Sequence, residues 1–183
     1  SLFDWDSAGR LTLTTRPDEA LTSFAYDDNG NLTSLAPPGR APHAFEHDAM
    51  DLLSSYTPPT LPGAGATAYA HDADRKLDLE TRPGGETLDY QHDVGTGRRT
   101  AVVGPTFGLE TQQTTTEYDA VGRVSALRGS LFEAGVPEQS LLFGYLGSLK
   151  TSETFEGATE GVVGWTSDNH FRPATESVNG GHT

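Results

Sequence analysis

Three histidines stand directly before an aspartate, as His47-Asp48, His71-Asp72 and His92-Asp93. That dipeptide occurs in metal-dependent phosphohydrolases, where imidazole and carboxylate share a cation. The carboxylate recurs behind other residues, in Trp5-Asp6, Tyr26-Asp27, Tyr118-Asp119 and Ser167-Asp168. A row of carboxylates can serve acid–base chemistry or hold calcium. Asp27-Asp28-Asn29-Gly30-Asn31 is rich in oxygen ligands, but it lacks the Asp-x-Asn-x-Asp-Gly spacing and distal bidentate Glu of a calcium-binding loop. Gly63-Ala64-Gly65 and Gly95-Thr96-Gly97 resemble phosphate loops in composition, yet neither opens a helical pattern. There is no Gly-x-Ser-x-Gly and no Ser/His/Asp set apart from the recurring pairs. Trp5 and Trp165 offer flat rings able to stack on sugars. Asn31-Leu32-Thr33 has the pattern of a glycosylation sequon, with meaning only in a eukaryotic secretory pathway.

Spacing decides among these chemistries. The pairs recur at residues 5, 26, 47, 71, 92 and 118, followed by two eroded copies at Tyr145, which lacks its Asp, and at Ser167-Asp168. Two residues upstream stand Phe3, Phe24, Phe45, Tyr69, Tyr90, Phe143 and Trp165, with Thr116 the exception. Downstream come Gly9-Arg10, Gly30-Asn31, Gly97-Arg98 and Gly122-Arg123, then an apolar residue such as Leu11, Leu32, Leu53, Leu77 or Val124. Upstream of the next pair lies Pro17, Pro38, Pro62 or Pro83. Aromatic-x-aromatic-Asp alternates at period two, the pattern of a strand with its rings on one face. Asp-x-x-Gly reads as a turn, with the Asp side chain accepting backbone N–H groups and Gly at positive φ. Leu-Thr-x-Leu starts a second strand, and the proline closes the unit with another turn.

Each unit is therefore a β-hairpin. Residues 1–183 form a single array of about eight hairpins and sixteen strands, all-β, with longer connections near 104–113 and 129–138 and no helix. An open sheet of more than about ten strands tends to curl, split or close. Equivalent residues of successive hairpins lie two strands, or roughly 10 Å, apart. Two ligands of one zinc, each about 2 Å from it, cannot be so far apart. Trp5, Tyr26, His47, His71, His92 and Tyr118 thus read as stacked rings, and Asp6, Asp27, Asp48, Asp72, Asp93, Asp119 and Asp168 as turn caps. Neither a catalytic residue nor a metal or cofactor ligand is expected. Cross-strand packing is the favoured role of the aromatic ladder, with contact of Trp5 and Trp165 to a glycan or partner as the alternative.

Bulk properties agree. The chain carries 12 basic and 26 acidic residues, a net charge of −14, which repels nucleic acid. It has no cysteine, so neither a disulfide framework nor thiolate chemistry. No apolar run approaches the about twenty residues of a membrane-spanning helix, and insertion in a membrane is not expected. Opening on Ser1 with no visible signal peptide, it reads as a piece of a longer polypeptide.

Tyr26-Asp27-Asp28-Asn29-Gly30-Asn31-Leu32-Thr33, Tyr118-Asp119-Ala120-Val121-Gly122-Arg123-Val124 and Trp5-Asp6-Ser7-Ala8-Gly9-Arg10-Leu11-Thr12 resemble the RHS or YD repeat, and the likeness extends over about residues 2–178. The resemblance implies a long antiparallel sheet that spirals into a hollow β-shell, as in bacterial RHS toxins, toxin-complex subunits and teneurins. It also implies a secreted or cell-surface bacterial setting. The implied partners are flanking shell segments and an enclosed C-terminal toxin or effector domain, with carbohydrate as an older association. The chain departs from the pattern in its three His-for-Tyr replacements and its eroded last copies. It contains no Asp-Pro dipeptide, so the family's self-cleavage and its cargo map onto no residue here. The expected role is a non-enzymatic section of such a shell. A cut strip also exposes unpaired strand edges, from which edge-to-edge self-association is expected.

Overall fold

The computed structural model describes residues 1–59, 65–107, 110–131 and 138–182, and among them there are seventeen strands and no helix. The all-β class and the tandem hairpins expected from the repeat are what the chain adopts. Two compact units are present, Ser1–Leu88 and Asp89–Thr183.

Unit 1 contains β1 (Leu2–Trp5), β2 (Leu11–Thr15), β3 (Leu21–Tyr26), β4 (Leu32–Ala36), β5 (His43–His47), β6 (Leu53–Thr57), β7 (Thr67–His71) and β8 (Leu77–Thr81). Each pairs antiparallel with its sequence neighbour. From the boundary onward run β9 (Thr87–His92), β10 (Arg99–Phe107), β11 (Glu110–Tyr118), β12 (Val124–Leu131), β13 (Gln139–Leu146), β14 (Leu149–Glu156), β15 (Gly161–Ser167), β16 (Pro173–Val178) and β17 (Gly181–His182), again paired in order.

Alternation sorts the residues onto two faces. In β3, Thr22, Phe24 and Tyr26 are half-buried while Leu21, Ser23 and Ala25 are exposed. In β5 and β7 the half-buried set is His43, Phe45, His47 and Thr67, Tyr69, His71, opposite exposed Ala44, Glu46, Ala68 and Ala70. Rings on one face and the alternate residues on the other follow from the period-two side-chain geometry of a strand.

Simple alternation breaks on the second strand of each hairpin. Leu32 and Leu35 are three residues apart, yet Leu32 faces Tyr26 and Leu35 faces Phe24, both on the aromatic face. Thr33 is an extra residue, so the register shifts between Ala25 and Tyr26. The same bulge, opposite the Tyr/His position, occurs in all eight hairpins, with Thr12, Ser54, Asp78, Thr100, Ser125, Thr151 and Ala174 as the extra residues. A bulge adds local right-handed twist and re-aims the side chains beyond it. Here it returns the second apolar residue to the ring face.

The connection expected near 104–113 is largely strand. β10 and β11 form one long antiparallel pair whose register slips at Gly104-Pro105, between the pairs Val103–Gln113 and Thr106–Thr111. Proline has no N–H for the ladder, so the pairing is interrupted and then resumes through β-favouring threonines. Of the second long connection, residues 132–137 lie outside the described residues. The remaining turns close as tight loops: Arg16 N donates to Ala20 O and Arg82 N to Glu86 O, around Pro17 and Pro83.

Neither unit has a thick core. Among the described residues, Ala101, Ala126 and Ser140 are the buried side chains, and no large side chain is fully enclosed. Each unit is a sheet whose half-buried ring face packs along its own surface, neighbour on neighbour.

Candidate interface at the repeated turn and aromatic face

The turn aspartates adopt one posture. Asp6 Oδ1 accepts the Ala8 and Arg10 amides at 2.9 and 2.8 Å, and its Oδ2 accepts Arg10 Nε at 2.7 Å. Asp119 repeats this with Val121 N, Arg123 N and Arg123 Nε, and Asp168 with His170 N, Arg172 N and Arg172 Nε. Asp48 and Asp72 cap the amides two and four residues on. Asp27 Oδ1 accepts Asn31 N, and its Oδ2 accepts the Asn31 side-chain amide. At Asp93, where one residue is inserted, Oδ1 accepts both the amide and the hydroxyl of Thr96.

These donors favour the ionised carboxylate. The Arg10 amide holds Asp6 below its usual value, the Asn31 side chain Asp27, the Leu52 amide Asp48, the Thr96 hydroxyl Asp93, the Arg123 amide Asp119 and the Arg172 amide Asp168.

The residue closing each turn has positive φ. Gly9, Gly30, Gly97 and Gly122 do so without a Cβ penalty, but Asp51, Arg75 and Phe171 take the same position at φ of 61°, 66° and 62°. L-residues with a side chain seldom adopt this region.

Contacts between successive hairpins were not legible from the repeat. The Tyr26 hydroxyl donates to Leu11 O of the preceding hairpin at 2.9 Å, while Arg10 stacks over the Tyr26 ring at 4.9 Å and donates through Nη1 to Asp27 O at 2.8 Å. Tyr118 and Tyr145 repeat the arrangement. Their hydroxyls donate to Arg99 O and Val124 O, and Arg98 and Arg123 lie over their rings at 5.4 and 4.4 Å. Arg123 Nη1 also donates to Gly147 O. The recurring Arg of one turn is thus a clamp on the next ring. The available signal was its recurring place one residue after the turn Gly.

His47 and His71 occupy the Tyr position without a hydroxyl, and the Nδ1 atom of each is buried with no hydrogen-bond partner. His71 Nδ1 lies 3.8 Å from Asp48 Oδ2. His92 faces Arg99 across its hairpin. Among the described residues no three His, Asp or Glu side chains converge in a metal-sized group. Of the glycine-rich stretches, Gly95-Thr96-Gly97 is the widened Asp93 turn, whereas Gly63 and Ala64 lie outside the described residues. Trp5 is 60% exposed. Trp165 is half-buried under the Lys150 ammonium, 5.0 Å from its ring, with Glu176 across the strand pair.

Residues 5–41 match the family model described as RHS Repeat. No curated protein matches the chain. Its fold is similar to solved structures of the TcdB2-TccC3 complex with Cdc42 (TM-score 0.74, 15% identity, 94% of this chain and 10% of that one) and of TcdB2-TccC3 alone (0.73, 16%, 94% and 10%). It is likewise similar to the Photorhabdus luminescens Tc holotoxin pore (0.73, 16%, 89% and 9%). The chain spans about a tenth of the length of the chains it resembles.

Proposed function

We propose, from the RHS-repeat match of residues 5–41 and the fold shared with segments of the Tc-complex structures, that this chain is a structural module. It forms a section of a β-shell that encloses or displays another domain, a toxin or effector, of a secreted or surface bacterial protein. The observation that carries this reading is the continuity of the joints. The repeated residues are spent on capping turns and tying one hairpin to the next, which is what a wall requires. Ring-face packing without a thick core supports it, because such a sheet gains from flanking segments of the same wall. The test is electron microscopy and limited proteolysis of the full parental polypeptide. A hollow wall that includes this segment and shields a C-terminal domain is expected. A separate, solid bead at this segment, with that domain freely digested, would overturn the reading.

Trp5 favours a second use. Its exposed indole, beside exposed Leu2 and Phe3, is a platform for a glycan or a partner surface. Titration with a polysaccharide panel tests it: binding abolished by Trp5→Ala with unfolding unchanged supports recognition, and absence of binding leaves the ring as a packing surface.

A further inference from the structure

Five joints between successive hairpins are of two kinds. At β2/β3, β10/β11 and β12/β13, an Arg from one turn sits over the next Tyr, and the Tyr hydroxyl reaches back to the preceding hairpin. At β4/β5 and β6/β7 the positions held by Arg10, Arg98 and Arg123 are taken by Asn31 and Leu52, and the next ring is His47 or His71. The turn Gly changes in step, being Gly30, Gly122 and Gly147 after Arg but Asp51 and Arg75 after Asn31 and Leu52.

At one joint the clamp and the turn residue are sterically linked. The guanidinium of Arg98 occupies the space that a Cβ on Gly122 would need. A Cβ on Gly30 would meet Arg10 Nη1 at an ordinary 3.7 Å and one on Gly147 would meet nothing within 4 Å, so this steric link belongs to the Arg98 joint. The substitute for the clamp is sparser. Asn29 and Asn31 donate to Asp51 Oδ1, each at 2.8 Å, and Arg75 Nη2 donates to Met50 O at 2.9 Å.

A second observation is independent of side chains. The backbone ladder at β4/β5 consists of the pairs Ser34–Ala44 and Leu35–His43, and that at β6/β7 of Ser55–Ala68 and Tyr56–Thr67. Joint β2/β3 adds a third pair, Leu13–Ser23, Thr14–Thr22 and Thr15–Leu21. Within the β5–β6 hairpin the ladder runs from Ala44–Thr57 to His47–Leu53. Prolines 37, 38 and 42 precede this hairpin and prolines 58 and 59 come after it, and none has an N–H to extend a ladder.

We propose that hairpin β5–β6, His43–Thr57, is a movable panel of unit 1, whose two joints open locally while the hairpin and the Arg-clamped joint β2/β3 stay closed. The consequence rests on the shell reading, in which the panel is where the wall parts. The opening itself does not depend on that reading.

Amide hydrogen exchange of the 1–183 chain tests it. Ladder amides of β4/β5 and β6/β7 are expected to exchange at least about tenfold faster than those of β2/β3, with the inner β5–β6 amides slow. Restoring the clamp with Asn31→Arg, His47→Tyr and Asp51→Gly together should slow β4/β5 about tenfold and leave β6/β7 unchanged. Arg10→Ala should convert β2/β3 to the fast class. The chain has no cysteine, so Ser34→Cys with Ala44→Cys offers a disulfide lock on β4/β5 and the same slowing. Uniform protection across the joints overturns the panel, as does unchanged exchange in the folded restored variant or, if that variant does not fold, in Arg10→Ala. Failure of the shell reading would appear in microscopy of the parental protein and leave these rates untouched.

Discussion

Asp6, Asp27, Asp48, Asp93, Asp119 and Asp168 are each held below the ordinary carboxylate range by turn donors. A carboxylate whose value is depressed on folding contributes stability that is present above its unfolded value, about 3.9 for Asp, and lost as pH falls through the folded value. Urea midpoints should therefore be independent of pH near neutrality, where these groups contribute fully, and drop below about pH 4. Asp119→Asn should flatten part of that acid slope and lower the neutral-pH midpoint. An unaltered acid slope would detach Asp119 from the effect. The turn-closing residue gives a prediction of opposite sign. Phe171 is 74% exposed at φ 62°, so Phe171→Gly relieves left-handed strain without removing a buried ring and should stabilise by up to about 1 kcal/mol in urea unfolding. Gly122→Ala should destabilise, through both its φ of 86° and the displaced Arg98.

At the scale of the element, the unit is a bulged hairpin whose stability depends on the next hairpin. Tyr145→Phe removes the 2.7 Å bond to Val124 O and should cost about 1 kcal/mol. Arg123→Ala should lower the midpoint further, because it removes the contacts to the Tyr145 ring and to Gly147 O as well as the tie to Asp119. Equal effects from both variants would show that the ring hydroxyl, and not the guanidinium, carries the joint. Hairpin existence, the Asp cap and the Gly at positive φ were legible in the sequence because all lie within about ten residues. The bulge left only an indirect trace, the three-residue spacing of Leu32 and Leu35, which strict alternation does not accommodate. The Arg-to-Tyr clamp spans from Arg10 to Tyr26, and its meaning requires the inter-hairpin register.

For the whole chain, circular dichroism should be β-rich without a helical component. Each unit ends on a strand pair, and β1 pairs only with β2 among the described residues, leaving a free edge beside exposed Leu2, Phe3 and Trp5. Unpaired edges recruit further strands, so light scattering should show association that rises with concentration. A monomer at high concentration would mean the edges are protected.

The row of His and Asp met first in the sequence divides cleanly between what sequence and structure decide. Recurrence alone carried the reading of these residues as architectural, since a step of roughly 10 Å separates equivalent positions of successive hairpins. It also determined the strand–turn–strand order, because period-two alternation and turn chemistry are local. Only the tertiary structure decided which side chain serves the neighbouring hairpin, which turns take Asp51, Arg75 and Phe171 at positive φ in place of Gly, and which joints have the shorter ladders. Those properties depend on how one hairpin is laid against the next, and the same dipeptide, His-Asp or Tyr-Asp, acquires its partner only there.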